Sequence, residues 1–267
     1  MLKDITLGQY IPGKSVIHRL DPRLKLVLTI AYIAVLFAAK GPASYALVFG
    51  SLVLLFALSD IGLRFVFRSI RPLLFIILFT AVLNMFYVPG EAVWSWWIFT
   101  ITKEGIRTAI YMALRIAMLI SGTFVLLNYT TQPIMLTDGI EQLLGPLKKI
   151  HVPVHELAMM MTIALRFIPT LIEETDKIMS AQKARGADFE TGNIVRRAKA
   201  LVPILVPLFV SAFRRADDLA VAMECRCYRG SEGRTRLHTL KLQKIDYLTI
   251  GAAALLCTGI VLLGIYV

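Results

Sequence analysis

The chain has 267 residues, of which 57% are apolar, and 29 Lys and Arg stand against 18 Asp and Glu for a net charge of +11. Apolar content this high, bunched into long runs, excludes an ordinary soluble domain and points to a polytopic membrane protein. The basic excess has no base-reading module beside it, so it suits cytoplasmic loops facing anionic headgroups and excludes nucleic acid as a partner.

The first 25 residues hold five Lys or Arg and no cleavable apolar core, so no signal peptide is expected. Gly8-Gln-Tyr-Ile-Pro-Gly13-Lys14-Ser15 matches the phosphate-loop pattern letter for letter. That chemistry needs a buried strand before the loop and an unbroken helix after it, whereas Asp21-Pro22 interrupts whatever follows. The match is a decoy, and no cofactor is expected.

Charge-free stretches predict five membrane-spanning helices: Leu26–Ala39, Gly41–Ser59, Pro72–Gly90, Ile116–Thr137 and Tyr247–Val267. A crossing takes roughly 20 helical residues. The first stretch has 14, and Leu24 and Lys25 extend it if the Lys25 amine snorkels to the interface. Lys40-Gly41-Pro42 predicts a tight turn. The N-terminal tail carries five Lys or Arg and the 60–71 loop three (Arg64, Arg68, Arg71), against one in the 40–42 turn. Positive charge stays inside, which places the N-terminus in the cytoplasm and the C-terminus outside. Trp94, Trp96 and Trp97 then serve as outer interfacial anchors. Arg115 extends the fourth span upstream; it is either a functional intramembrane charge or a snorkelling one, and Asn84 is a weaker candidate of the same kind.

Residues 138–246 then fall in the cytoplasm. His151 and His155 are four apart, but Pro153 lies between them at a helix start, so they are read as structural. Cys225 and Cys227 have no second Cys or His pair at metal spacing, and with Cys257 they are read as reduced, with no metal. Two apolar runs, Leu157–Ile172 and Ala200–Phe213, are expected to be broken by Pro169 and by Pro203 and Pro207. Counting them as spans would bury Arg166 in lipid and turn six Lys and Arg of residues 173–199 outward. They are predicted instead to be amphipathic helices at the membrane face or covered by protein. Asp217 and Asp218 are expected on a solvated face with Arg214 and Arg215. Met159, Met160 and Met161 suit either ordinary packing or a surface that repacks against partners.

Arg185 and Arg226 lie 41 residues apart, and each ends a segment of the same make-up: an apolar run, a charged stretch, then arginine between small residues. The offset also sets Asp176 on Asp217, Ile178 on Leu219 and Ala181 on Ala222. Basic residues often end helices because they favour the helix dipole. A duplicated arginine tip points further, to a pair of acidic grooves, each contact being worth roughly 1.5–3 kcal/mol.

These segments, with Gly8-Gln-Tyr-Ile-Pro-Gly13, Ser15, His18-Arg-Leu-Asp21-Pro22-Arg23-Leu-Lys25 and Arg166-Phe-Ile-Pro169, resemble the transmembrane T components (EcfT family) of energy-coupling factor (ECF) vitamin transporters nearly end to end. The resemblance implies an all-α integral membrane protein: residues 1–137 as the tail and spans one to four, 138–244 as a cytoplasmic domain of coupling helices, and 245–267 as the fifth span. It implies a bacterial cell-membrane scaffold without catalytic residues, bound to two ABC-type ATPases and a membrane-embedded substrate-binding S component. Ala184-Arg185-Gly186 and Cys225-Arg226-Cys227 would meet the ATPases. Met159, Met160, Met161, Ile163 and Phe167 would meet the S component. Cys227 departs from the commoner glycine and lacks its backbone freedom. The alternative is a stand-alone secondary transporter, which needs inverted repeats and mid-membrane ionisable groups, whereas the repeat here is parallel and cytoplasmic. A membrane-embedded enzyme would need a convergent acid/base or metal cluster.

Overall fold

The computed structural model describes residues 10–96, 99–189, 193–230 and 240–266. The chain divides into two compact units, with breaks at 140/141 and 238/239.

The larger unit opens with a four-residue helix, α1 (Val16–Arg19). Ser15, the last residue of the phosphate-loop look-alike, caps it by accepting the His18 N–H, and also bonds His18 Nδ1 at 2.6 Å. His18 Nε2 donates to the Ile11 carbonyl at 2.9 Å, and Ile11 N–H donates to the Tyr129 carbonyl at 3.0 Å. Gly13 is small because the His18 ring lies where its Cβ would be, with ring carbon Cε1 2.7 Å from that point. Gly8 and Gln9 fall outside the described residues.

Asp21 caps α2 (Pro22–Ala38), accepting the Arg23 N–H at 2.9 Å, while Pro22 takes the first-turn position where a missing N–H costs nothing. Gly41, at φ 77°, reverses the chain into α3 (Gly41–Ser59). There follow α4 (Leu63–Ile70), one 3-10 turn (Arg71–Leu73) and α5 (Leu74–Tyr87). A hairpin, β1 (Ala92–Trp96) against β2 (Phe99–Thr102), pairs Trp94 with Ile101 and Trp96 with Phe99. Its aromatic and β-branched residues favour paired strands. Trp94 and Trp96 lie in β1, and Trp97 lies outside the described residues.

The fourth predicted span needs correction at both ends. Helix α6 begins at Lys103, where Thr102 caps it, and continues through Thr123 into a π turn, Phe124–Tyr129. The chain then breaks, and α7 starts at Pro133 (Pro133–Leu143) instead of carrying the span to Thr137. Proline disfavours the helical conformation in the residue before it and suits a first helical position. The early start is tolerated because Glu104 sits in the first turn, where the dipole favours an anion. The unit closes with α10 (Lys244–Tyr266).

Leu36, Tyr45, Val48, Leu52, Met118 and Ile260 form the main cluster between α2, α3, α6 and α10. Lipid is as apolar as leucine, so close packing and interhelical hydrogen bonds hold such helices together. Gly122 lets the Tyr32 ring approach until a Cβ would sit 2.4 Å from Cε1, and Tyr32 O–H donates to the Met118 carbonyl at 3.0 Å. Lys25 does not snorkel. It is 1% exposed, and its ammonium donates to the Thr130 carbonyl at 2.9 Å and Thr131 Oγ1 at 3.1 Å. Asp246, equally buried, accepts the Asp21 N–H at 3.1 Å and the Gln243 N–H at 2.6 Å.

In the smaller unit a 3-10 turn (Gly145–Ile150) leads to α8 (Val154–Ala184), followed by α9 (Ile194–Cys225). The prolines do not break them: Pro169 lies inside one continuous helix of 31 residues, and Pro203 and Pro207 inside one of 32. Each removes one ladder bond, at about 3 kcal/mol or more. Propagation along helices this long, together with packing of α8 on α9, carries the ladder through. Among the described residues four segments can cross a membrane by length and composition, Gly41–Ser59, Lys103–Tyr129, Val154–Ala184 and Lys244–Gly264, and Arg71–Tyr87 is a shorter apolar helix.

Candidate coupling site

Helices α8 and α9 end in the same way. Arg185 follows the last helical residue, Ala184, and Gly186 then turns left-handed at φ 84°. Gly186 N–H donates to the Lys183 carbonyl and Ala187 N–H to the Gln182 carbonyl, both at 3.0 Å. On α9, Arg226 follows Cys225, and Cys227 turns left-handed at φ 57°. Cys227 N–H donates to the Glu224 carbonyl at 2.8 Å and Tyr228 N–H to the Met223 carbonyl at 3.1 Å. Both ends are Schellman caps with one bond pattern, which satisfies the orphan carbonyls, leaves each arginine just past the last helical residue and turns the chain away at the residue after it. Ala184, Arg185, Gly186, Cys225, Arg226 and Cys227 are all exposed. Nothing lies within 4 Å of where a Gly186 Cβ would stand, so its left-handed backbone, and no crowding, selects glycine there.

Upstream, Arg215 donates to Glu174 at 2.9 Å, with the two side chains 40% and 22% exposed. The sequence reading grouped Arg215 with Asp217 and Asp218; across the helix pair it finds Glu174 instead, while Arg214, Asp217 and Asp218 stay exposed. The signal was available, since the same offset of 41 that aligns the arginine tips sets Glu174 on Arg215.

Near the start of α8, Met159, Met160, Ile163 and Phe167 share one face at helical spacing, with Met160 54% exposed. Met161, 45% exposed, turns to the opposite side, so the five residues are not one patch. His155 Nδ1 pairs with Glu141 at 2.9 Å, whereas His151 is exposed at φ 61°. Among the described residues no three His, Cys, Asp or Glu gather as metal ligands, and the three cysteines are free. In the larger unit, Arg115 reaches the Ala39 carbonyl at 3.4 Å between the rings of Phe37 and Tyr45, and so ties α6 to the α2–α3 corner. Asn84 bonds the Thr80 carbonyl of its own helix at 2.8 Å.

Apolar helices of membrane length mark a membrane protein. The model of the CbiQ family, described as cobalt transport protein, matches residues 13–237. The energy-coupling factor transporter transmembrane protein EcfT of Acidaminococcus fermentans is 55% identical over 267 residues, covering 100% of this chain and 96% of its own. Those of Ruminiclostridium cellulolyticum and Lactococcus lactis subsp. cremoris are 52% and 46% identical over 263 and 250 residues, covering 98% and 93% of this chain and 98% and 94% of their own. The chain belongs to the CbiQ family and, within it, to the EcfT proteins, the transmembrane components of ECF transporters. It is a membrane subunit of a multisubunit transporter and not itself an enzyme.

Proposed function

We propose that this chain is the scaffold that couples two ABC-type ATPases to a membrane-embedded S component, so that ATP-driven motion of the ATPases drives vitamin or micronutrient uptake. Arg185 and Arg226 each enter an acidic groove of one ATPase, and the Met159, Met160, Ile163 and Phe167 face, flanked by Met161, receives the S component. Helices α2, α3, α5, α6 and α10 cross the bacterial cell membrane, with the N-terminus cytoplasmic and the C-terminus external. Residues 138–244 form the cytoplasmic coupling segment. Arg166, exposed midway along the apolar stretch of α8, supports placing that helix outside the lipid core.

One observation carries this reading: two arginines 41 residues apart are presented by caps with the same bonds. A chance basic helix end would not repeat the cap as well as the residue. Co-purification with the two ATPases tests it. Arg185→Glu with Arg226→Glu is expected to weaken association by about a hundredfold or more, and undiminished binding by the double variant would refute the assignment.

A further inference from the structure

We propose that the Glu174–Arg215 ion pair is the positioning contact that fixes where α8 and α9 cross, and so holds the two arginine tips at a set separation. The pair bridges the two helices at 2.9 Å, and Ser211, one turn before Arg215, lies 3.5 Å from its Nε. Glu174 and Arg215 are the same position of the duplicated segment. Two equivalent helices that touch at equivalent positions cross on a local twofold axis. Identical charged residues there would repel, while one acid and one base attract and lock the register. Eleven residues separate the pair from each tip (174 to 185, 215 to 226). At 1.5 Å per residue the two arms are each about 16 Å long. A slide of one helix along its axis would make the two arms unequal, and the ion pair opposes that slide.

The contact stands on geometry alone; its relevance to transport rests on the docking roles proposed for Arg185 and Arg226. The test uses the full chain in lipid nanodiscs, with Cys225→Ser, Cys227→Gly and Cys257→Ser, and spin labels at Lys183→Cys and Glu224→Cys. These two sites are exposed and equivalent in the repeat. Electron–electron resonance then reads the distribution of distances between the labels. Glu174→Arg or Arg215→Glu is expected to broaden it about twofold, and the swap Glu174→Arg/Arg215→Glu to return it to the starting width, as a coupled pair requires. Unchanged widths in both single variants, or a swap that stays broad, overturns the proposal. Should a reversal fail to fold, Glu174→Gln and Arg215→Gln carry the same comparison. Arg185→Glu/Arg226→Glu separates the two ideas, with ATPase binding read in the unlabelled chain with its native cysteines and the width read in the labelled one. Lost ATPase binding at unchanged width supports docking, while retained binding removes the docking reading and leaves the ion pair judged by width alone.

Discussion

Cys227 occupies a backbone conformation that glycine enters without penalty and other residues resist. Cys227→Gly is expected to strengthen the α9 cap by about 1 kcal/mol, and Gly186→Ala to weaken the α8 cap by a similar amount. Amide exchange at residues 223–228 and 182–187 measures both. Asp21 makes a second prediction. Burial opposes its ionisation most, yet the Arg23 side chain, backbone N–H and charge together outweigh burial and hold its carboxyl below the ordinary value. A carboxyl so depressed stabilises the fold at pH above its unfolded value and loses that contribution as the pH falls through the folded one. Thermal unfolding in detergent should therefore show a stability loss below about pH 4 that Asp21→Asn removes. The arginine tips and the unusual cysteine could be read from letters alone, because a duplicated segment advertises what it keeps. The Glu174–Arg215 pair was harder to see, since its members differ in type: the offset of 41 sets one on the other, but the helix crossing is what makes them partners.

At the scale of elements, Lys25 decides how the ends of three segments meet. Its ammonium serves the Thr130 carbonyl and Thr131 Oγ1, where the π turn closes, while Asp246 at the start of α10 holds the N–H of Asp21 ahead of α2. Lys25→Met strands these acceptors and removes one of the two cations, Lys25 and Arg23, that act on the buried Asp246, so a loss of roughly 3 kcal/mol is expected. Unfolding of the purified chain in detergent, beside Lys25→Arg, measures it. Gly41–Ser59 was legible to the residue because the charged Lys40 and Asp60 bound it and a Gly-Pro turn opens it. The predicted Ile116–Thr137 was not, because a charge-free window cannot register a helix that tolerates Lys103 and Arg107 at its start. Nor can it see Pro133 beginning a new helix. The prolines of α8 and α9 misled for a related reason: a local breaker was weighed without the long ladder on either side of it.

For the whole molecule, the docking reading makes association electrostatic at its centre. Each arginine contact is worth roughly 1.5–3 kcal/mol, so losing one tip should weaken ATPase binding by about tenfold to a hundredfold. Rising ionic strength should weaken the native complex and leave the residual binding of the double variant nearly unchanged. Titration of the nanodisc-held chain with ATPases at several salt concentrations checks both slopes. Membrane class and family were legible from composition and motifs because lipid imposes length and apolarity directly on sequence. The β1–β2 hairpin was not, since a search for charge-free stretches registers spans and passes over the strand preference of nine aromatic, β-branched and small residues between them.

The π turn at Phe124–Tyr129 has a further consequence. It accommodates one residue more than an α-helix would over the same rise, and that surplus sets the angular phase at which the chain leaves α6. Wound as ordinary helix, the same residues would carry Thr130 and Thr131 about 100° further round, whereas deleting the surplus residue would leave their phase nearly as it is. In the first case the ammonium would miss both oxygens at once, with no residue that touches it having changed.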